Sequence, residues 1–321
     1  MRILFIGTGF YQYDQYIQQE LQRHGDVSYI NSKQSESSHS LLFNICDRIK
    51  CTKRFWKLAS KELQQKIESL GIEPFDLVFI IKGEYLTEEN ILAIKRYSPC
   101  AKYILYLWDA WVRHDNRDVL KKHFSNIYSF DVRDCQEYGF KLRPLFYINK
   151  VEPVKRGGDA YNISFVGGNH SGRIGFLKTV KRICLGHNLT YMFKLLVGRA
   201  EAINRKWILK DRYSEDIITF DYIPYKDYLD ILDHSIAVVD IPNPLQSGLT
   251  IRTIEALSRG AKVVTTNKYI NCYERIPKSL ILVVNSNSID EEQLADFISK
   301  PGREIIDDYY SLESFIKGFV Y

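Results

Sequence analysis

The sequence predicts an α/β protein made of two doubly wound domains, each with a parallel sheet and helices on both of its faces. Along almost the whole chain, short apolar runs typical of buried strands alternate with amphipathic runs typical of helices. A charged and glycine-containing stretch at 149–159 divides this alternation into two parts of similar size. A chain of 321 residues is also long enough for two ordinary domains. We therefore expect domains at 1–150 and 151–321.

The first domain is predicted to begin with a strand, a glycine turn and a helix. The polar segment at 31–40 has no apolar periodicity, so we expect a loop there. Strand and helix alternate again after Gly71. The predicted strands are 2–6, 27–30, 76–82, 101–108 and 127–130, and the predicted helices are 13–24, 41–70, 88–97 and 118–123.

The second domain repeats this order. Its predicted strands are 161–166, 191–197, 217–220, 236–240, 262–266 and 280–284, and its predicted helices are 173–185, 207–213, 225–232 and 250–259. A last helix at 312–319 follows the final strand, and it either packs within the second domain or crosses back onto the first.

Composition argues against several classes of protein. No stretch approaches about 18 uninterrupted apolar residues, and the start of the chain lacks a cleavage site, so we expect a cytoplasmic protein. Six scattered cysteines without a CxxC pair indicate reduced thiols and argue against structural zinc. A net charge of +5 is too mild to indicate nucleic acid as a partner. The basic and aromatic run at 51–57 is either a peripheral contact with the inner membrane or an exposed helix face.

The most informative segment is DIPNPLQSGLTIRTIEALSRG at 240–260. A strand ends at Asp240, a loop with two prolines and a glycine turns the chain, and a helix begins near Leu249 and ends at Gly260. This order presents free N–H groups and the positive end of a helix dipole at the carboxyl edge of the sheet. Anionic groups such as a pyrophosphate bind at such edges.

Three charged residues lie on one face of this helix, namely Arg252, Glu255 and Arg259. Glu255 either accepts hydrogen bonds from the ribose hydroxyls of a nucleotide or forms a surface ion pair with Arg252. The spacing allows both.

The run GLTIRTIEALSRGAKVVTTN at 248–267 resembles the donor-site helix of GT-B glycosyltransferases of the group 1, family 4-like kind, in which a glutamate occupies the position of Glu255. Together with DVRDCQEYGFKLRPLFY at 131–147, it is similar to proteins encoded in bacterial lipopolysaccharide and capsule clusters. The resemblance implies two Rossmann-like domains that face each other across a cleft, the first for an acceptor and the second for a nucleotide-sugar donor. Ser247 departs from the pattern, because retaining members have a first glutamate there. Contacts to the sugar from this position therefore differ, and retention or inversion stays open.

The resemblance also implies the residues of the donor site. In this fold the loop after the first strand of the second domain approaches the donor phosphates, and Arg173 offers a planar fork of donors there. The implied donor-binding residues are Gly167, Gly168, Arg173, Gln246, Ser247, Gly248, Leu249, Thr250, Arg252 and Glu255.

The loop GTGFYQYD at 7–14 opens the first domain. It matches a nicotinamide dinucleotide site poorly, because Gln12 replaces the third glycine and the second strand ends at Asn31 rather than at an acidic residue. In the resembled fold this loop faces the acceptor, which implies acceptor-side places for Gly9 and Tyr13. Asp14 is either a catalytic group beside them or a residue that stabilises the start of the helix.

The segment LYLWDAWVRH at 105–114 places a carboxylate after a buried strand. Glycosyl transfer needs a group that takes up the proton of the acceptor hydroxyl, and Asp109 is the first candidate for this base. The alternative is that Asp109 caps the following turn. We expect Trp108 and His114 on the acceptor side, with His114 and Asp131 as reserve candidates for the base.

The sequence has no DxD motif near a strand end and no His, Asp and Glu cluster with metal spacing, so we expect catalysis without a metal or cofactor. A helix dipole and an arginine would take the place of the cation. The predicted function is transfer of a sugar from a nucleotide-activated donor to a hydroxyl of lipopolysaccharide, capsule or a lipid-linked precursor. The alternatives are a non-catalytic nucleotide- or sugar-binding subunit of a glycan assembly complex and an NAD-dependent oxidoreductase. The sequence leaves the sugar, nucleotide, acceptor and oligomeric state open.

Overall fold

The computed structural model describes residues 1–9, 12–32, 52–71, 73–148, 161–198, 216–302 and 304–321, with the main chain alone for 52–58. Its described residues form two compact units, one of Met1–Pro144 with Leu312–Tyr321 and one of Leu145–Ser311. Several sequence predictions fall outside the described residues: most of the loop at 31–40, the first part of the helix at 41–70, the linker at 149–159 and the helix at 207–213.

The first unit contains a six-stranded parallel sheet in the order β2-β1-β3-β4-β5-β6. The central strands are almost wholly buried, as expected for a parallel sheet whose two faces are covered. The strands are β1 (Arg2–Gly7), β2 (Asp26–Asn31), β3 (Leu77–Ile81), β4 (Lys102–Leu107), β5 (Ile127–Ser129) and β6 (Lys141–Leu142), and the helices are α1 (Tyr13–Gln22), α2 (Thr52–Glu68), α3 (Glu88–Tyr97), α4 (Arg117–His123) and α5 (Val132–Tyr138).

Local sequence signals fix the ends of several of these helices. Thr87 and Asn90 form a reciprocal capping box at the start of α3. Asp131 caps α5 by accepting hydrogen bonds from two main-chain N–H groups, and Gly139, at φ 72°, ends this helix in the left-handed conformation. Neither α5 nor β6 was predicted from the sequence.

The second unit contains a second six-stranded parallel sheet, in the order β12-β11-β10-β7-β8-β9. Counted from β7, this is the strand order of a doubly wound dinucleotide-binding sheet, and the winding reverses between β7 and β10. The strands are β7 (Tyr161–Gly168), β8 (Tyr191–Leu196), β9 (Ile218–Thr219), β10 (Ser235–Asp240), β11 (Lys262–Thr265) and β12 (Ile281–Val283), and the helices are α6 (Arg173–Gly186), α7 (Tyr225–Asp233), α8 (Ile251–Ser258) and α9 (Glu291–Ser299).

The last helix, α10 (Leu312–Val320), belongs to the first unit although it follows the second along the chain. Phe319 packs on Phe79 of β3 with ring centroids 5.0 Å apart, and Phe315 packs on Tyr106 of β4 at 4.9 Å. All four rings are buried, and burial of each phenylalanine stabilises the fold by about 2 kcal/mol. Within the described ranges, no helix has the length and apolar character needed to cross a membrane.

Candidate functional site

The reversal point of the second sheet is organised by Asp240, the last residue of β10. Its buried carboxylate accepts hydrogen bonds from the hydroxyls of Thr250, at 3.0 Å, and Thr253, at 2.8 Å. Thr250 in turn caps α8, because its Oγ1 accepts a hydrogen bond from the Thr253 main-chain N–H at 3.3 Å. Asp240 therefore fixes the first turn of α8 at the carboxyl edge of the sheet, which is where ligands of doubly wound sheets bind.

Arg252 joins the two strands that flank this point. Its Nη1 lies 2.9 Å from Asp240 Oδ1, and its Nε donates to the Val166 carbonyl oxygen of β7 at 2.9 Å. A methyl group on Gly167 would stand 2.6 Å from Arg252 Nη2, so the glycine makes room for the guanidinium. The ion pair of Arg252 is thus with Asp240, and the predicted alternative of a surface pair with Glu255 is not what the structure has.

Arg173 is buried, whereas Arg252 is partly exposed. Its Nε and Nη2 donate to the Ile241 carbonyl oxygen at 3.0 and 2.6 Å, and its Nη1 donates to the Gly168 carbonyl oxygen at 2.8 Å. Burial, aided by the positive charge of Arg252, lowers the pKa of Arg173 to about 9. The Arg173 guanidinium, which was expected to contact a phosphate, instead links the end of β7 to the loop after β10.

Glu255 projects from α8 towards α7 and is 2 % exposed. Its Oε1 accepts a hydrogen bond of 2.5 Å from the Tyr225 hydroxyl. Burial and the nearby Glu255 carboxylate raise the pKa of Tyr228 well above its usual value. An ion pair between Arg259 and Asp233 joins the same two helices one turn further on. Glu255 is therefore a buried carboxylate that already accepts a hydrogen bond from a hydroxyl group.

The loop between β10 and α8 is fixed by a side chain from outside it. Asn267, itself buried, donates from Nδ2 to the carbonyl oxygens of Ser247, at 2.9 Å, and Gly248, at 3.3 Å. Ser247 and Leu249 are buried, whereas Gln246 stays partly exposed in a turn closed by its N–H on the Asn243 carbonyl oxygen at 2.8 Å. Leu249 thus contributes to the core beneath the loop.

In the first unit, Asp14 supports the loop between β1 and α1. Its Oδ2 accepts hydrogen bonds of 2.8 Å from the Gly9 N–H and from the Tyr29 hydroxyl. Gly7 carries no side chain where Asp14 approaches, since an added methyl group would lie 2.0 Å from Oδ2. Burial and the charge of Asp14 raise the pKa of Tyr29 well above its usual value. Asp14 lies in the first turn of α1, and its hydrogen bonds go to the loop before that helix and to β2, so its catalytic role stays a prediction.

Two aromatic residues predicted for the acceptor side, Trp108 and Tyr13, are largely buried. Trp108 is 8 % exposed and packs on Tyr13, with ring centroids 5.8 Å apart, and on Tyr106 at 6.2 Å. Tyr13 is buried as well. Both rings therefore pack beneath the surface at the carboxyl edge of the first sheet.

Asp109 lies in an ionic cluster after β4. Lys82 Nζ is 2.6 Å from its Oδ2 and Arg113 Nη1 is 3.1 Å from its Oδ1, while its side chain remains 19 % exposed. His114 is buried beside it, and burial lowers the pKa of the imidazole, partly offset by the charge of Asp109. Asp131, the other reserve candidate, is the buried cap of α5.

Comparisons with known proteins were made by sequence and by structure. The sequence matches no protein-family model and no curated protein. Solved structures match over nearly the whole chain. OtsA has a TM-score of 0.59 at 10 % identity, covering 100 % of this chain and 95 % of its own.

Two further structures were solved with nucleotides. S. aureus MnaA with UDP has a TM-score of 0.56 at 12 % identity, covering 98 % of this chain and 94 % of its own. The Methanocaldococcus jannaschii UDP-GlcNAc 2-epimerase, in complex with UDP-GlcNAc and UDP, has a TM-score of 0.52 at 12 % identity, and the match covers 100 % of both chains. Identities this low inform on the fold alone.

Each unit contains a six-stranded parallel Rossmann-like sheet with flanking helices, and these solved structures match nearly the whole chain. Together these two observations identify the fold. The chain has the GT-B fold. Within this GT-B fold, the predicted donor residues around Gly167, Arg252 and Glu255 lie near the reversal point of the second sheet. The predicted acceptor-side residues lie at the carboxyl edge of the first sheet.

Several residues of the GT-B sheet edges were missed by sequence reasoning. Asp240 and Asn267, at the ends of the quoted segments, and Tyr225 of α7 contact the predicted donor residues, although none of the three was predicted as a site residue. Lys82 likewise contacts Asp109. A signal for Lys82 was present, because a lysine directly after the apolar strand FDLVFII must lie at the carboxyl edge of a parallel sheet. Within the described part of the chain, no group of three His, Cys, Asp or Glu side chains is arranged to hold a metal ion. Metal independence stays a prediction.

Proposed function

We propose that the protein is a glycosyltransferase that moves a sugar from a nucleotide-activated donor to a hydroxyl of a bacterial surface polysaccharide or its lipid-linked precursor. The observation that carries this proposal is the start of α8, where Arg252 and the capped helix turn are held at the reversal point of a Rossmann-like sheet. The sequence resemblance of the same segment to donor-site helices supports it.

The donor would bind by its diphosphate at the start of α8. The helix dipole and the guanidinium of Arg252 would stabilise the negative charge that grows on the leaving diphosphate. Arg173 would hold the loops after β7 and β10 in place for it. Glu255 would accept hydrogen bonds from the ribose, as it now does from the Tyr225 hydroxyl.

The acceptor would bind at the carboxyl edge of the first sheet, near Gly9, Tyr13, Trp108 and His114. Its hydroxyl oxygen bonds to the anomeric carbon, its proton passes to the Asp109 carboxylate, and the bond from the anomeric carbon to the diphosphate oxygen breaks. The leaving nucleoside diphosphate keeps the electron pair of that bond. We expect no metal ion in this step.

The site of action in the cell follows from the proposed substrates. Nucleotide sugars are cytoplasmic, and a lipid-linked acceptor would require peripheral contact with the inner membrane. The basic and aromatic run at 51–57, proposed for that contact, has no described side chains.

Thermal unfolding with UDP, GDP, CDP, CMP, ADP and dTDP in turn tests the donor site. A ligand at about 100 times its Kd adds roughly 2.7 kcal/mol to the free energy of unfolding, so one nucleotide should raise the Tm selectively. Glu255→Gln should reduce the shift, whereas the control Glu291→Gln, which removes an exposed partner of Arg182, should keep it. No shift with any nucleotide would contradict the proposal.

Epimerisation of a nucleotide sugar is a second candidate, because the match to the M. jannaschii epimerase covers both chains completely. Incubation with UDP-GlcNAc alone, followed by proton NMR, distinguishes an epimerase from a glycosyltransferase. A product inverted at C2 identifies an epimerase, whereas free sugar and UDP identify a transferase that uses water. Nucleotide binding without any turnover would favour the non-catalytic subunit.

A further inference from the structure

The loop after β3 has a main-chain conformation that side chains disfavour. Lys82 has φ 62°, Gly83 has φ 70° and Tyr85 has φ 65°. The left-handed region costs free energy for any residue with a Cβ atom, and non-glycine residues in it cluster at functional sites. Two such residues stand within four positions at the carboxyl edge of the first sheet.

The rest of the unit holds this conformation in place. The buried amide of Asn116 donates from Nδ2 to the carbonyl oxygens of Gly83 and Leu86, both at 2.9 Å. The Lys82 N–H donates to the Tyr106 carbonyl oxygen of β4 at 2.8 Å. The bend is therefore built into the fold.

The bend brings the lysine to the end of the neighbouring strand. Lys82 Nζ lies 2.6 Å from Asp109 Oδ2, and Glu84 lies 3.8 Å from the same ammonium group. Arg113 holds the other oxygen of Asp109 at 3.1 Å. A carboxylate fixed through both oxygens keeps its remaining lone pairs in set directions.

A buried histidine lies against this cluster. His114 is 4 % exposed, and its Nε2 has no hydrogen-bond partner among the described residues. The charges that act on its ring are those of Asp109, Glu84 and Lys82. Buried polar atoms in proteins almost always have a hydrogen-bond partner, so this nitrogen beside the fixed ion pair is unusual.

We propose that Lys82 is a positioning residue for Asp109 in the transfer reaction, and that its left-handed backbone serves to bring the ammonium group against the carboxylate. This inference rests on the proposed function, in which Asp109 takes the acceptor proton. Lys82 itself exchanges no proton. It fixes the orientation of the Asp109 carboxylate for the proposed proton transfer.

Three substitutions at one position test this role. Lys82→Met should lower kcat about 100-fold, because small misplacements of a catalytic group have effects of this size. The KM for the donor and the nucleotide-induced Tm shift should not change, because the donor site lies in the other unit. Lys82→Arg should recover part of kcat, since it restores a cation opposite Oδ2. The reaction measured is hydrolysis of a nucleotide sugar that carries the nucleotide selected by the thermal assay.

Lys82→Gly separates positioning from folding. It lacks the ammonium group, as Lys82→Met does, but glycine adopts φ 62° freely, so its Tm should exceed that of Lys82→Met while its kcat stays equally low. Lys122→Met, which removes an exposed lysine paired with Glu88, is the control and should leave kcat unchanged.

The outcomes distinguish this inference from the proposed function. Wild-type kcat in Lys82→Met, with its nucleotide shift intact, overturns the role of Lys82 and leaves the transferase proposal standing. A glycine variant no more stable than the methionine variant overturns the argument from strain. A wild-type protein that neither binds nucleotides nor releases sugar overturns both proposals.

Discussion

Two carboxylates differ in what surrounds them, and this difference predicts different kinetic defects. Asp109 is partly exposed and held by two cations, whereas Glu255 is buried against a tyrosine hydroxyl. Asp109→Asn should lower kcat by about 100-fold or more with little change in the donor KM, because the proton acceptor is lost. Glu255→Ala should mainly raise the donor KM. Steady-state kinetics with varied donor would measure both.

The matched control for Asp109→Asn is Asp118→Asn, an exposed aspartate in the first turn of α4. It should behave as wild type. Equal loss of kcat in both variants would indicate a general defect of the first unit and remove Asp109 from the role of base.

Asp134 predicts how stability depends on pH. Burial raises the pKa of its carboxyl to about 6, although it accepts a hydrogen bond of 2.6 Å from the Trp111 N–H. Because the folded pKa lies above the unfolded one, ionisation of Asp134 disfavours folding above pH 6, and the penalty disappears as the pH falls below about 4. Asp134 should therefore make the protein relatively more stable at pH 5 than at pH 7, by about 1 kcal/mol.

Urea unfolding at the two pH values would measure this effect in the wild type and in Asp134→Asn. The variant should lose this part of the pH dependence, whereas Asp118→Asn should retain it. An unchanged pH dependence in Asp134→Asn would show that another group is responsible.

Most predicted donor residues lie at the end of β7 or near the start of α8. A substitution at the end of β7 tests whether Arg252 contributes to nucleotide binding. A methyl group on Gly167 would lie 2.6 Å from Arg252 Nη2, whereas one on Gly186, the last residue of α6, would meet nothing within 4 Å. Gly167→Ala should displace Arg252 from Val166 and Asp240 and weaken nucleotide binding about tenfold. The control Gly186→Ala should bind as wild type. Isothermal titration with the stabilising nucleotide would compare them, and equal affinities would remove Arg252 from the donor site.

Most strands and helices could be predicted from their apolar runs and amphipathic periods. The helix at 88–97 was predicted with the observed bounds, and most strands agree within two residues. The helix predicted at 250–259 is observed at Ile251–Ser258, one residue shorter at each end. In contrast, α9 at Glu291–Ser299 was not predicted, although Asp290 supplies a cap signal for it.

The contacts of the site were less predictable than its elements, because they depend on distant partners. Arg173 was expected to face a phosphate, but its hydrogen bonds go to main-chain carbonyls, one of them 68 positions away. Glu255 was expected to meet Arg252 or a ribose, and it meets Tyr225 of another helix. Lys82 reaches Asp109 because its backbone is left-handed, and a lysine at this position gives no sequence signal for that conformation.

At the scale of the whole molecule, the first unit is completed by the end of the chain. Phe319 is buried against Phe79, Tyr106 and Tyr128. Phe319→Ala should lower the free energy of unfolding of the first unit by about 3–5 kcal/mol, because it leaves a cavity in a packed core. Lys317→Ala, an exposed change on the same helix, should cost less than about 0.5 kcal/mol. Urea denaturation followed by circular dichroism would measure both, and a small effect of Phe319→Ala would contradict the packing described.

The return of α10 to the first unit has a consequence for how the protein is made. When the ribosome has released the segment up to Pro144, the 167 residues of 145–311 must still be synthesised before Leu312 appears. At about 5–20 residues per second, this delay is roughly 10–30 s. During that time the apolar surface of Phe79 and Tyr106 has no α10 to cover it. The second unit therefore receives all of its residues before the first does, and the half of the molecule that is synthesised first is the last to be finished.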